Sequence, residues 1–203
     1  MNYKRISYGK NKLTIVDKWG IWLSSRAIIK FYKELNNKNI KIIDLGSGYN
    51  ASLSLLLYKY YREAIVVDYD LNPNLVTFDK IKIHKLSIED SLNSLTDSNY
   101  DVIMLINVLE HLNHPQNILN KCYELLKPGG YILINVPTWL GKSFLEYSAF
   151  KLNLSPQDEI NDHKRYYDLK DLWPLMINAN FKPKDIRIKY HKFYLNLFCF
   201  SRK

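Results

Sequence analysis

Residues 44–51 read Asp-Leu-Gly-Ser-Gly-Tyr-Asn-Ala, at the end of the apolar run Ile40–Leu45 and just before a segment with helical patterning. Glycines at such a junction let a strand turn directly into a helix and let a ligand approach the backbone closely. A strand–loop–helix unit of this kind belongs in a parallel sheet. Read from Gly46, the loop also fits G-x-G-x-x-A, so by itself it leaves a dinucleotide and other nucleoside ligands open.

The rest of the chain repeats that alternation. Val16, Trp19, Leu23, Ala27, Phe31 and Leu35 recur at helical spacing and predict a helix over 16–35. Strands are expected at Ile40–Leu45, Ala64–Val67, Ile81–Leu86, Asp101–Ile106 and Tyr131–Val136. Helices are expected at 51–61, 115–126 and 169–178, the second stopped by Lys127-Pro128-Gly129-Gly130. Asp185–Tyr190 and Phe193–Phe200 lie close enough for a hairpin, which makes the last strand antiparallel to its neighbour. The expected architecture is α/β with a doubly wound, mostly parallel sheet. Residues 1–39 form a helical extension, and 40–203 form one domain with an insertion at 139–162. The insertion carries a short helix with Phe144, Leu145, Tyr147 and Phe150.

A chain of 203 residues suits one such domain. No run reaches the roughly 18 apolar residues of a membrane span. Met1–Lys12 is polar and basic, so no signal peptide is expected. The two cysteines, Cys122 and Cys199, form neither a CxxC nor a Cys/His ladder, and a reducing cytoplasm is the simplest expectation. The net charge of +9 suits an anionic partner, but the lysines are scattered, which reads as solvated surface.

Two acids bear on the ligand, and Asp44 discriminates between the candidates. A carboxylate at Asp44 would repel a pyrophosphate but suits the ammonium of a methionine moiety beside a sulfonium. Asp68, at the end of the second strand with Tyr69 beside it, can accept hydrogen bonds from both ribose hydroxyls of either ligand.

These pieces resemble the class I S-adenosylmethionine-dependent methyltransferases of the small bacterial type. The resemblance runs from about Ile40 to Phe181. It rests on Ile43–Gly48, Val67-Asp68, Tyr100–Leu112 and Leu125–Gly130. It implies a Rossmann-like, seven-stranded sheet with an antiparallel last strand, S-adenosylmethionine as cofactor and S-adenosylhomocysteine as product. It places Asp44, Gly46, Ser47, Gly48, Asn50, Asp68, Tyr69 and Asn107 at the cofactor, with adenine contacts near Ser87 and Ile88. Two positions depart from the family. Asn50 stands where a third glycine is usual, and asparagine tolerates left-handed backbone. Ser87 stands near the position of an adenine-binding acid.

Methyl transfer from a sulfonium is an in-line displacement that needs a base only when the acceptor atom carries a proton. His111 and His163 are the candidate bases. Asp162–Tyr167 resembles a His-x-Arg-aromatic segment that faces the acceptor in relatives. That resemblance nominates Arg165 and Tyr166 for substrate binding, and Trp139 joins them as part of an aromatic lid. Some relatives carry a Glu-x-x-Glu-His metal motif. Here Asn107 replaces its first ligand with a neutral amide, so no metal is expected.

The expected acceptor is an oxygen of a small molecule or glycan. Val16–Ser24 resembles leaders of methyltransferases of bacterial cell-surface saccharide synthesis. The alternatives are a nucleic-acid methyltransferase, a dinucleotide-dependent oxidoreductase and a non-catalytic adenosylmethionine-binding protein. The sequence leaves the oligomeric state open.

Overall fold

Strand side chains alternate between the two faces of a sheet, and here both faces are covered, so the inner strands are apolar on both sides. The first strand shows the division. Ile43 and Leu45 face one core, Ile42 faces the other, and every residue from Ile42 to Leu45 is buried. The computed structural model describes residues 7–10, 15–150 and 162–203. Residues 151–161 of the expected insertion, and residues 1–6 and 11–14, lie outside them.

The helices are α1 (Ile15–Leu35), α2 (Ser52–Leu56), α3 (Ile88–Ser94), α4 (Pro115–Leu125), α5 (Trp139–Phe150) and α6 (Leu169–Asn178). The strands are β1 (Lys41–Leu45), β2 (Glu63–Val67), β3 (Ile81–His84), β4 (Tyr100–Ile106), β5 (Leu126–Pro137), β6 (Ile186–His191) and β7 (Asn196–Arg202). Among the described residues the strands form one seven-stranded sheet in the order β3-β2-β1-β4-β5-β7-β6. The pairings among β1–β5 are parallel, and β7 runs antiparallel to both β5 and β6. This is the expected fold class. Strand order reverses between β1 and β4, and the carboxyl ends of strands at such a switch point flank a crevice.

One core joins Ile43, Leu45, Ile103 and Leu105 to Ile118, Leu119, Leu172 and Met176 of α4 and α6. On the other face Ile28 and Tyr32 of α1 pack with Ile42, Val102, Met104, Leu133 and Phe198. The buried stripe of α1 is therefore rotated from the expected one. Trp19, expected on the apolar face, is 47% exposed. The C-terminal half of the helix covers the sheet, while its N-terminal half continues past the sheet to the crevice.

Several boundaries moved for local reasons. The helix expected over 51–61 is only α2 followed by a 3-10 turn at Tyr58–Tyr60, and the Tyr61 hydroxyl folds back to donate to the Ser54 carbonyl at 2.9 Å. β5 begins at Leu126, not Tyr131, because Leu126 pairs with Tyr100 and the register then shifts. β7 begins at Asn196, not Phe193, because Lys192, Phe193 and Tyr194 all take left-handed backbone. No expected helix corresponds to α3. Ser87 caps it by accepting the Asp90 amide N–H at 2.9 Å. Among the described residues no helix is long and apolar enough to cross a membrane.

Candidate active site

The carboxyl ends of β1, β2 and β4 open into one cavity of about 1240 Å3. A single drug-sized ligand occupies a pocket of about 300–1,000 Å3, so there is room here for two molecules side by side.

One end is built by the glycine loop. The N–H groups of Gly46 and Ser47 both donate to the Val67 carbonyl, at 2.8 and 3.0 Å, which pins the loop against β2. Gly46 has φ +68°, and a Cβ there would come within 2.5 Å of Val108 Cγ2, so both backbone and space require glycine. The left-handed residue further on is Ala51 (φ 44°), not Asn50. Asn50 instead works through its side chain. It donates to the Gly9 carbonyl at 3.1 Å and accepts from Asn72 at 2.9 Å.

Asp44 lies on the same face of β1 as Ile42, is 2% exposed, and accepts from the Ser54 hydroxyl at 2.6 Å. Burial pushes its carboxyl up to about 7; the Ser54 hydroxyl opposes the shift and the charge of Asp68 adds to it. Asp68 accepts from the Gly48 amide at 2.9 Å on one oxygen. Its other oxygen accepts from the Ser7 hydroxyl at 2.5 Å and the Tyr69 amide at 2.8 Å. Residues 7–10 thus lie as a strap along the loop. The Tyr8 carbonyl accepts from the Tyr49 amide at 2.8 Å, and Lys10 pairs with Asp70, which Lys85 also reaches at 2.7 Å. Lys10 first and Lys85 second hold the Asp70 carboxyl down at about 2.

The other end holds Glu110, His111 and His163. One ligating atom from each lies within 4.8 Å of the others, and Glu110 is 1% exposed. His111 Nδ1 sits 2.9 Å from Asp162 Oδ2, and His163 Nδ1 is 3.1 Å from the Tyr166 hydroxyl. The two imidazoles meet edge to face with centroids 4.8 Å apart. A partner on one ring nitrogen fixes the tautomer and orients the other, as a general base or a metal ligand needs. The mixed oxygen and nitrogen donor set suits a divalent transition metal as well as proton transfer.

A family model for the methyltransferase domain matches residues 23–185, most of the chain. The chain belongs to this family. A ubiquinone biosynthesis O-methyltransferase of Shewanella sp. (strain ANA-3) is 29% identical over 89 residues, 42% of this chain and 37% of that protein. An uncharacterized protein of Methanocaldococcus jannaschii is 27% identical over 137 residues, 65% of this chain and 58% of that one. The matched stretch of this chain spans about half or less of most such curated relatives. The fold is shared with a SAM dependent methyltransferase from Archaeoglobus fulgidus. The two superpose with a TM-score of 0.63 at 19% identity, over 87% of this chain and 92% of that one. A Burkholderia thailandensis 1,6-didemethyltoxoflavin-N1-methyltransferase gives 0.65 at 16% identity, over 92% and 81%.

The cavity is lined by Asp44, Gly46, Ser47, Gly48, Asn50, Asp68, Tyr69, Ile88, Asn107, His111 and His163. Four other nominated residues stand outside that lining. The Ser87 side chain is engaged with Asp90. Arg165 donates to the Asn113 carbonyl at 2.9 Å. Trp139, 51% exposed, packs on Tyr166, whose hydroxyl meets His163. Sequence reasoning did not nominate Ser7, Glu110, Lys192 or Asn196, all of which line the cavity. Glu110 had a signal, since it adjoins His111. Ser7 and Lys192 had none, because only the folded chain brings the N-terminal strap and the β6–β7 turn to the crevice.

Proposed function

We propose that the protein transfers the methyl group of S-adenosylmethionine to an oxygen of a small molecule. The observation that carries this reading is the single cavity with a buried carboxylate, a glycine loop and Asp68 at one end, and two oriented histidines beside Glu110 at the other. In this reading Asp44 faces the ammonium of the cofactor, Asp68 takes the ribose hydroxyls, and Asn107 stands between cofactor and acceptor. The acceptor oxygen attacks the methyl carbon as the C–S bond breaks, and the electron pair stays on sulfur to give S-adenosylhomocysteine. The hydroxyl proton passes to His163 or His111. Alignment and exclusion of water supply most of the acceleration, because the reagent is already activated. A saccharide precursor is one acceptor that fits the resemblance at Val16–Ser24. The shared name of the O-methyltransferase relatives supports oxygen as the acceptor atom.

The first test is thermal melting with S-adenosylmethionine, S-adenosylhomocysteine and NADH. A ligand at 100 times its dissociation constant adds about 2.7 kcal/mol. For a chain of this size that raises the melting temperature by about 5–11 °C. The expected result is a shift with the first two and none with NADH. A shift with NADH alone overturns the reading in favour of an oxidoreductase. Once an acceptor is found, His163→Gln is expected to lower kcat by about 10²–10⁴-fold if the histidine takes the proton. Full activity in EDTA would set the cluster apart from a metal centre.

A further inference from the structure

Lys192 sits in the turn between β6 and β7, and this turn is built against its own backbone preference. Lys192, Phe193 and Tyr194 have φ of 50°, 55° and 68°, although none is glycine. Each such residue is strained, and the conformation persists only where the surroundings over-determine it. Here they do. Thr138 donates its hydroxyl to the Tyr194 carbonyl at 2.7 Å and its amide to the Leu195 carbonyl at 3.0 Å. Trp19 of α1 stacks on Phe193 with centroids 6.1 Å apart and planes 11° from parallel. The Lys192 ammonium reaches to Gly20 of the same helix, where a Cβ would make ordinary contact at 3.6 Å from Nζ.

The result is a lysine held in the wall of the cavity. The cavity lining includes Trp19, which stacks on the neighbouring Phe193, with Phe144, Leu145 and Leu195, alongside the polar Ser24, Glu110 and Asn196. The ion pairs formed among the described residues all use other cations. We infer that Lys192 recognises the acceptor, and that the acceptor is an apolar or aromatic hydroxy compound carrying a carboxylate. A sheltered ammonium gains most from a charge-assisted hydrogen bond to an anion, and apolar side chains in the wall favour an unhydrated body beside that charge. The electrostatics agree. Burial lowers the Lys192 amine to about 8, and the charge of Glu110 opposes that shift, so the cation still predominates at pH 7.

The inference rests on the methyltransferase reading, and the test separates the two. Protein saturated with S-adenosylhomocysteine is titrated calorimetrically with 4-hydroxybenzoate and with 4-hydroxybenzamide, which differ in charge at nearly constant shape. The expected result is at least about tenfold tighter binding of the carboxylate, equivalent to about 1.4 kcal/mol. Lys192→Met removes that preference and Lys192→Arg keeps part of it, while S-adenosylhomocysteine binds all three proteins alike and so reports that they are folded. Equal affinity for the two probes, a preference that survives in Lys192→Met, or binding of neither probe overturns the inference. Failure of S-adenosylhomocysteine to bind the wild-type protein would instead remove the functional reading.

Discussion

At pH 8, without ligand, Asp44→Asn is expected to melt above the wild-type protein and to lose its response to S-adenosylmethionine. Among the described residues the Ser54 hydroxyl is the polar side-chain partner of the buried Asp44, and its carboxyl is raised from 3.8 to about 7. A group raised in the folded state favours folding below its unfolded value and loses that contribution as pH rises through its folded value. The window is therefore pH 4 to 7. Above it the wild type carries an ionised buried carboxylate that costs on the order of 4 kcal/mol. Asparagine keeps the shape and the hydrogen bond to Ser54 but not the charge. A gain of about 2 kcal/mol, or about 4–8 °C, is expected at pH 8, shrinking towards zero at pH 5. A cationic ligand relieves the same penalty in the wild type, and losing that pairing weakens binding by about 3–5 kcal/mol. Melting curves at the two pH values, with and without S-adenosylmethionine, check both halves. Unchanged melting together with an unchanged ligand response would make Asp44 a turn residue only.

Gly141→Ala is expected to destabilise the protein by about 3 kcal/mol and to disable the acceptor end of the cavity. Gly141 lies in the first turn of α5, where its N–H donates to the Thr138 hydroxyl at 2.9 Å. A Cβ on it would overlap the backbone carbonyl oxygen of Leu195, which a rotamer change cannot relieve. Either α5 or the β6–β7 turn must move, and both line the cavity. A fall in melting temperature of about 6–12 °C is expected, with a raised KM for the acceptor and little change for the cofactor. The cofactor end stands on β1, β2 and the glycine loop, away from this contact. A variant that melts like the wild type would show that the two elements slide apart freely.

The end of the cavity built by the glycine loop, where the proposed function puts the cofactor, is legible in the sequence because its parts are local. Asp44, Gly46, Gly48 and Asp68 sit at strand ends that apolar runs already mark, and a strand end in a parallel sheet has only one place to go. The acceptor end is legible in part. His111 and His163 stand out by residue type, but His111 meets Asp162, 51 positions along the chain, where the Lys164 amide also donates to the Glu110 carbonyl. That closure depends on tertiary packing and not on spacing. Lys192 is one of many lysines until three left-handed residues fix where it points. The missed helix α3 shows a different failure. Ser87 and Asp90 form a capping pattern that announces a helix start, yet Ser87 reads as an adenine contact when the family's acid is sought at that position.

The size of the cavity also says something about kinetics. In the proposed reaction, with room for cofactor and acceptor together, the methyl group has no need to rest on the protein between them. The two thiols that could carry it, Cys122 and Cys199, are buried, and burial raises both, Cys199 to about 12. Transfer in one displacement then requires a ternary complex. The mark of such a route is initial-rate lines that intersect instead of running parallel, with net inversion at the migrating carbon.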